Sequence, residues 1–250
     1  YQLGQLPQDA VRAVPALIAA TRDPHADVRV VAAYALGKLG AGGTTGDTDR
    51  IVAALDNLLA DDSAEVRFST ARALGLVGAP ASSVTAHLQT LVDNDTEDVR
   101  AAALLALAKI GVPDSAIPSI VNALDHPSWY VRDAAAAALK TVPATAAPLL
   151  VASLGARTPA GTITTWRQAS AIVALLPDLG APALAALPQV FEPQRSKQAK
   201  ALGTLALLEF GPQVTSVLTE TAASSNTLSS RIAVAALGYT GMDALPTLLH

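Results

Sequence analysis

Cysteine is absent from all 250 residues of the chain. This absence excludes disulfide bonds, thiolate metal sites and cysteine nucleophiles. Because no cysteine reports on the redox environment, the composition leaves the cellular compartment undetermined, with the cytoplasm slightly favoured.

Aromatic residues are scarce as well. They make up 4% of the chain, although hydrophobic residues make up 51% of it, so the predicted core consists mainly of Ala, Leu and Val. Such small side chains let helices approach one another closely and leave few large pockets.

The sequence also lacks a long uncharged hydrophobic run. The longest uncharged stretch, residues 141–156, contains Pro143 and Pro148. It is shorter than the roughly 20 apolar residues that a membrane-spanning helix needs. We therefore expect no membrane insertion of this segment.

Positive charge is too sparse for a nucleic-acid groove. The chain has 17 basic and 21 acidic residues, which give a formal net charge of −4. Sustained contact with phosphates needs a basic patch or stripe. We therefore expect no nucleic-acid partner.

Acidic residues collect in two predicted turns. They are Asp61, Asp62 and Glu65 in one turn and Asp93, Asp95, Glu97 and Asp98 in the other. At helix N-termini these side chains would accept hydrogen bonds from free backbone N–H groups and suit the helix dipole. The alternative is an acidic edge that attracts a basic partner. Calcium is disfavoured, because no loop has the ligand spacing of an EF-hand.

One segment, residues 27–40, recurs along the chain. Its apolar residues are spaced three and four apart, which predicts a helix with one buried stripe, formed by Val28, Ala32, Ala35, Leu36 and Leu39. Gly40 stands where a left-handed C-terminal cap is expected. Aligned on Arg29, the copies recur at Arg67, Arg100, Arg132, Arg167, Lys200 and Ser230.

The copies lie 30 to 38 residues apart, a period typical of stacked supersecondary units. A second amphipathic segment precedes each copy, so the repeating unit is predicted to be a helical hairpin. We predict an all-α solenoid of about seven stacked hairpins that form a single domain, 1–250. The predicted units are 7–40, 49–78, 83–111, 115–142, 145–179, 181–211 and 212–241.

Both ends of the chain resemble incomplete units. Residues 1–6 align with residues 34–39, and the chain stops partway through another first helix. Solenoids need polar terminal caps, and neither end supplies one. We therefore expect the chain to be an excerpt of a longer protein.

Residues 23–40 carry the pattern Asp-Pro-x-x-x-Val-Arg-x-x-Ala-Ala-x-Ala-Leu-Gly-x-Leu-Gly. This pattern resembles the HEAT repeat, in the subtype found in phycobilisome lyase-like proteins, and the likeness covers nearly the whole chain. The resemblance implies a right-handed superhelix, a bacterial source and second helices that line a concave surface. The family's Asp, six residues before the arginine, is present at Asp23 and Asp61 but becomes Asn94 in the third unit. That change argues against an Asp–Arg ladder beyond the second unit.

A candidate partner-binding surface follows from the resemblance. The residues one, five and nine positions after each arginine share a face away from the buried stripe. With the two aromatics of the fourth unit, they give the predicted partner-binding residues Tyr34, Lys38, Phe68, Arg72, Leu105, Lys109, Trp129 and Tyr130. Exposed aromatics, Arg and Leu flanked by charge are typical of protein-binding surfaces. The alternative is that curvature closes this face and these residues simply pack.

Three other positions carry predictions. The repeated arginine suggests an anion-binding ladder, but its place in the first helical turn favours a structural role that bridges neighbouring turns. Trp166 occupies the position of Val28 and is predicted to lie in the core. Trp129 falls outside the buried stripe and is expected to be partly exposed.

The sequence favours a non-catalytic scaffold that binds a partner protein or another domain of its own chain. No Ser/His/Asp group, carboxylate pair or metal-ligand spacing stands out, so we expect no enzyme activity and no cofactor. The resemblance keeps open a phycobilin lyase-like, chromophore-handling subunit or an accessory subunit of an enzyme. HEAT-type deoxyhypusine hydroxylases hold iron with His-Glu pairs, and no histidine here is followed by Glu.

Overall fold

A computed structural model of the chain describes residues 12–41, 46–156, 164–192 and 194–210. Across these residues the fold is all-helical, with no strand. The helices form two compact units, with the boundary between Thr141 and Val142. Six of the seven predicted hairpins fall largely within the described ranges, and the seventh, 212–241, lies outside them. The single domain over 1–250 stays a prediction.

The first unit contains four helical hairpins. Its helices are α1 (Val14–Ala20), α2 (Ala26–Gly40), α3 (Thr48–Leu58), α4 (Ala64–Val77), α5 (Thr85–Asn94), α6 (Glu97–Ile110), α7 (Ile117–Ala123) and α8 (Trp129–Lys140). Short 3₁₀ turns, Ala79–Val84 and Asp114–Ala116, precede α5 and α7. The second helix of each hairpin is the segment that carries the repeated arginine, which confirms the predicted hairpin unit.

The second helices stack in a row, with α2 against α4, α4 against α6 and α6 against α8. The first helices pack beside this row, and α1 contacts α3 while α5 contacts α7. Aliphatic side chains from both sets fill the core between them, among them Leu36, Ile51, Leu55, Leu74, Leu88, Leu104, Ile120 and Leu139. Burial of each such side chain contributes about 1.5–3 kcal/mol to folding, so the hairpins depend on their neighbours for stability.

Successive second helices approach one another through small residues. A Cβ added at Gly37 would lie 2.6 Å from both Cα and Cβ of Ala73, and one added at Gly75 would lie 3.2 Å from Cα of Ala106. The backbones of α2 and α4 therefore touch where Gly37 lies. The glycine of the Ala-Leu-Gly pattern is needed for this close approach.

Two predictions about α2 are wrong. Gly40 is the last residue of the helix and is buried, with no left-handed cap, because the helix continues to Gly40 and the chain turns at Ala41 instead. The expected positive-φ glycine occurs one repeat later, at Gly78, with φ 75°. Val28 is 39% exposed, whereas its equivalent Val66 is fully buried between neighbouring hairpins, so the predicted buried stripe does not include Val28.

The second unit contains two described hairpins. Its helices are α9 (Pro143–Ser153), α10 (Trp166–Leu175), α11 (Ala181–Ala186) and α12 (Lys197–Glu209), with 3₁₀ turns at Leu176–Leu179 and Leu187–Phe191. Helix α9 packs on α11, and α10 packs on α12. The predicted interruption by Pro177 is confirmed, because α10 ends at Leu175 and the chain tightens into a 3₁₀ turn.

The prediction that Trp166 lies in the core is wrong, since its side chain is 78% exposed. In the second helices of the first unit, the N-cap lies four residues before the arginine, as Ser63 does before Arg67. In α10 the N-cap is Thr165, whose hydroxyl accepts from the backbone N–H of Gln168. The residue four positions after Thr165 is Ala169, which therefore takes the place of the repeated arginine. The buried stripe of α10 thus begins two residues later than the alignment on Arg167 predicted.

Among the described residues, no single helix combines the length and the apolar character required to cross a membrane. One pair of helical segments, Trp166–Leu179 with Ala181–Phe191, meets the requirement jointly, by length and composition only, and is bent by 120° at its break.

The close contact at Gly37 makes a stability prediction. We expect Gly37→Ala to lower the free energy of unfolding by about 1–3 kcal/mol, because the added methyl group forces α2 and α4 apart. This loss outweighs the gain in helix propensity of about 1 kcal/mol. Urea denaturation measures the change. Gly46→Ala is the control, since a Cβ there meets nothing within 4 Å, and equal stability of the two variants would contradict the contact.

The register of α10 makes a second prediction. We expect Trp166→Ala to change the free energy of unfolding by no more than about 0.5 kcal/mol, because the side chain is exposed. Ile172→Ala, a substitution at a fully buried position, is expected to cost about 2–5 kcal/mol. Thermal or urea denaturation compares the two, and a cost of several kcal/mol for Trp166→Ala would restore the original alignment.

Candidate functional site

The repeated arginines were the first candidates for a binding site. Along one edge of its guanidinium, Arg29 donates two hydrogen bonds to the carboxylate of Asp61 in the next hairpin, at 2.7 Å from Nε to Oδ2 and 2.8 Å from Nη2 to Oδ1. Its Nη1 donates to the carbonyl oxygens of Asp23 and Pro24, at 2.9 and 3.2 Å. The guanidinium therefore ties two hairpins together and closes the turn before its own helix.

Arg67 repeats this arrangement one hairpin further on. It donates to the carboxylate of Asp95, at 2.6 Å from Nε and 2.7 Å from Nη2, and to the carbonyl oxygens of Asp61 and Asp62. The ladder therefore reaches the third unit, although the change to Asn94 argued against it there. Asp95 lies one residue after Asn94, and its carboxylate takes the place that the pattern assigned to the earlier position.

Arg100 and Arg132 bond to backbone carbonyl oxygens instead. Arg100 donates to Val92 and Asp95, and Arg132 donates to His126 and Pro127, at 2.8 and 2.7 Å. The four repeated arginines of the first unit, Arg29, Arg67, Arg100 and Arg132, thus have structural partners, in agreement with the structural role that their position favoured. They do not form an open anion-binding ladder.

The ladder shifts the pKa values of its carboxylates. Burial tends to raise the pKa of Asp61, but the hydrogen bonds from Arg29 and from the backbone N–H of Ser63 outweigh it and hold the pKa below its ordinary value. The pKa of Asp95 is lowered in the same way, by Arg67 and by the backbone N–H of Thr96 against the effect of burial.

A groove opens on the row of second helices in the first unit. It is lined by Tyr34 from α2, by Arg72, Gly75 and Leu76 from α4, and by Ala102, Leu105, Ala106 and Lys109 from α6. We call it the α2–α4–α6 groove; its volume is about 260 Å³. It brings together four of the eight predicted partner-binding residues.

The floor of the groove consists of small residues and its rim of large ones. Gly75, Ala102 and Ala106 are buried, and they include the residues through which α4 and α6 touch. Tyr34 and Leu105 on the rim are 51% and 46% exposed. The face is therefore open, contrary to the alternative that curvature closes it.

Lys38 and Phe68 adjoin the groove through cation–π contacts. The Lys38 ammonium lies 5.7 Å from the centre of the Tyr34 ring, and the Arg72 guanidinium lies 5.5 Å from the centre of the Phe68 ring. Each pair is spaced four residues apart on one helix, the spacing at which helical side chains meet. Both contacts hold a cation against an aromatic ring beside the groove.

Trp129 and Tyr130 lie elsewhere. They begin α8 and pack edge to face, with ring centres 6.0 Å apart. The Tyr130 hydroxyl donates to Glu97 at the start of α6, at 3.0 Å. Burial and this hydrogen bond raise the pKa of Tyr130. The structure thus places both aromatics at the N-terminal end of α8, whereas Lys109 lies near the C-terminal end of α6.

Gly75, Ala102 and Ala106 are the lining residues that the sequence did not point to. They belong to the stacking side of the helices, so their periodicity marks them as packing residues. The available signal was size, since small residues on the stacking side leave room for a depression between larger neighbours.

A second depression, of about 580 Å³, lies beside α1 and α3 and is lined by residues that include Thr21, Arg22, Arg50, Asn57 and Asp61. Most of its polar groups already have partners. Arg50 pairs with Asp47 at 2.7 Å, Asn57 donates to the carbonyl oxygen of Ala53, and Asp61 belongs to the ladder. No group of three or more His, Asp or Glu side chains in the described ranges has the arrangement of a metal site.

The stacked hairpins and the arginine ladder define a class of protein, the α-solenoid built from helical repeats. The family model for HEAT repeats matches residues 14–108 and 84–173, which together span more than half of the chain. The chain belongs to the HEAT-repeat family. No curated protein matches it in sequence.

Several solved structures are similar to the chain. An engineered protein from the Northeast Structural Genomics Consortium is 18% identical, with 94% of this chain and 71% of that chain covered and a TM-score of 0.49. The CpcE–CpcF complex of phycocyanin lyase from Nostoc sp. PCC7120 is 25% identical, with 92% and 83% covered and a TM-score of 0.46. A designed armadillo repeat protein is 18% identical, with 91% and 100% covered and a TM-score of 0.46.

The lowered pKa values predict how stability depends on pH. A carboxylate whose pKa is lower in the folded chain stabilises the fold above its unfolded pKa, about 3.9, and loses that contribution as the pH falls through the folded pKa. We expect Asp61→Asn to lower the free energy of unfolding at pH 7 by about 1–2 kcal/mol, because the partly buried Arg29 keeps its charge and loses its carboxylate partner, while solvent screens part of the effect.

The same variant is expected to lose less stability than the wild type between about pH 5 and pH 2. Urea denaturation at a series of pH values measures both effects. Asp62→Asn is the matched control, since Asp62 is exposed and carries the same charge one residue away. An identical pH profile for Asp61→Asn and the wild type would show that the ladder does not stabilise the fold.

Proposed function

We propose that the chain is a non-catalytic scaffold that binds a partner protein, or another domain of its own chain, through the α2–α4–α6 groove. The observation that carries the proposal is the convergence of Tyr34, Arg72, Leu105 and Lys109 on one open depression. Three helices from three hairpins contribute these residues, and none of the four is needed to fill the core.

The exposed apolar groups support a protein partner. Tyr34 and Leu105 expose about half of their surfaces beside two cations. Tyr and Arg are enriched among the residues that dominate binding energy in protein interfaces. Membership of the HEAT-repeat family agrees with this use, because helical repeat proteins commonly bind through extended surfaces on their stacked helices.

The size of the groove argues against a small-molecule substrate. Small-molecule sites commonly enclose about 300–1,000 Å³ and carry a few polar groups that converge on the ligand. The α2–α4–α6 groove, at about 260 Å³, is below that range. The depression beside α1 and α3 is large enough, but most of its polar side chains are already engaged, Arg50 by Asp47, Asn57 by the carbonyl oxygen of Ala53 and Asp61 by Arg29.

The alternative function is a chromophore-handling subunit like those of phycobilin lyases, or an accessory subunit of another enzyme. A bilin titration distinguishes the first of these from the scaffold. A change in the bilin absorption spectrum that is lost on Tyr34→Ala would favour the chromophore-handling role.

The scaffold makes a prediction about Leu105. We expect Leu105→Ala to weaken binding of a captured partner about tenfold, because an apolar contact worth roughly 1–2 kcal/mol is removed at the rim. Leu205→Ala is the matched control, because Leu205 is similarly exposed, at 53%, but lies in the second unit. Partners are captured on the immobilised chain and their affinities are measured with the purified proteins. If Leu105→Ala retains every captured partner at full affinity, the groove is not the binding surface.

A further inference from the structure

The charged side chains at the α2–α4–α6 groove are all positive. Arg72 and Lys109 line it, and Lys38 adjoins it through Tyr34. None of the three forms an ion pair with a carboxylate within the described part of the chain. By contrast, Arg29, Arg50 and Arg67 of the same unit are all paired with aspartates.

We propose that the groove binds an acidic peptide segment in which carboxylates flank one apolar side chain. The inference rests on the proposed scaffold function and specifies the chemistry of its partner. The apolar side chain occupies the floor, and the flanking Asp or Glu residues pair with Lys38, Arg72 and Lys109.

The shape of the groove suits one inserted side chain. Its volume of about 260 Å³ is too small for a folded element. Its floor of Gly75, Ala102 and Ala106 offers no hydrogen-bonding side chain, and Leu76 and Leu105 wall it with apolar surface. The Lys109 stem runs along this floor, because a Cβ added at Gly75 would lie 3.7 Å from Cδ of Lys109.

Two of the three cations lie against aromatic rings before a partner binds. Lys38 lies over the Tyr34 ring, and Arg72 lies over the Phe68 ring. Ordering a long charged side chain on binding costs free energy, and a side chain that is already ordered avoids part of that cost. The aromatic rings therefore favour binding of carboxylates at defined positions on the rim.

The distribution of charge disfavours three other occupants of the groove, which are a nucleic acid, residues 211–250 of this chain and a second copy of the chain. A nucleic acid would require a continuous row of phosphate contacts, whereas this surface has three cations on a chain with a net charge of −4. Residues 211–250 of the chain contain only Glu220 and Asp243 as acids. In a second copy, four of the seven acids in the acidic turns already have partners: Asp61 and Asp95 are engaged by the ladder, and Asp93 and Glu97 accept hydrogen bonds from Ser119 and Tyr130. A partner with its own acidic segment complements the groove best.

The test is a selection of random dodecapeptides displayed on phage against the purified chain. Synthetic versions of the enriched peptides are then titrated against the wild type and variants by fluorescence polarisation. We expect enriched peptides to share an aliphatic or aromatic residue flanked by Asp or Glu. Their affinity is expected to fall at least tenfold in Lys109→Glu and to weaken as salt rises from 50 to 500 mM.

Lys197→Glu is the matched control. It makes the same change of charge at an exposed lysine that begins α12 in the second unit, and it should leave the affinity unchanged. Circular dichroism verifies that both variants stay folded. An equal loss in the two variants would show that net charge, and not the groove, attracts the peptides.

The remaining outcomes separate this inference from the scaffold itself. Enriched peptides that are neutral or basic, yet lose affinity in Tyr34→Ala, would overturn the acidic segment and leave the scaffold standing. Displacement of the peptides by single-stranded DNA at equal affinity would also overturn it. So would self-association, measured by sedimentation, that Lys109→Glu abolishes and Lys197→Glu does not. If no peptide is enriched, the inference fails. The scaffold function is then tested separately, by comparing the partners captured on the wild type with those captured on Leu105→Ala.

Discussion

The first unit depends on direct contact between the backbones of neighbouring second helices. At Gly37 and Gly75 no side chain separates one helix from the next, and the opposing residues are Ala73 and Ala106. The distance between the axes of packed helices is usually about 8–10 Å and depends on the side chains at the contact. Helices that pack through small residues lie at the short end of this range. Because Gly75 and Ala106 also form the floor of the α2–α4–α6 groove, the packing contact and the candidate site share the same residues. The depth of the groove is therefore a consequence of the stacking.

The arginine–aspartate ladder fixes the same helices at their other ends. Arg29 and Arg67 lie in the first turns of α2 and α4, and each reaches the turn of the following hairpin through two hydrogen bonds to a carboxylate. A helix held near both ends cannot rotate about its axis without breaking one of the contacts. The side chains between and beyond those contacts, such as Tyr34 and Arg72, consequently stay on one side of the row.

The sequence predicted the hairpins and part of the site, and the reason lies in periodicity. A three-and-four spacing of apolar residues located α2 to within one residue of its start, and the rule of positions one, five and nine selected Tyr34, Arg72, Leu105 and Lys109. Periodicity describes which side of a helix a residue lies on. It does not describe how close two helices come, so it did not predict that Ala102 belongs to the floor of the groove. It also did not predict that the two aromatics at the start of α8 lie away from the groove.

The misplaced core assignment in the fifth repeat has a physical cause. The shift of the ladder from Asn94 to Asp95 is a separate, local change, since the N-cap Thr96 still lies four residues before Arg100. The core was sought at Trp166 because the copies were aligned by residue type around the arginine. The physical unit begins instead at the N-cap, where the chain leaves extended geometry and the first backbone N–H groups need partners. Thr165 marks that point in α10, and the buried stripe follows from it. A register defined by the cap places Ala169 in the arginine position and leaves the indole of Trp166 in the first turn, free of the core.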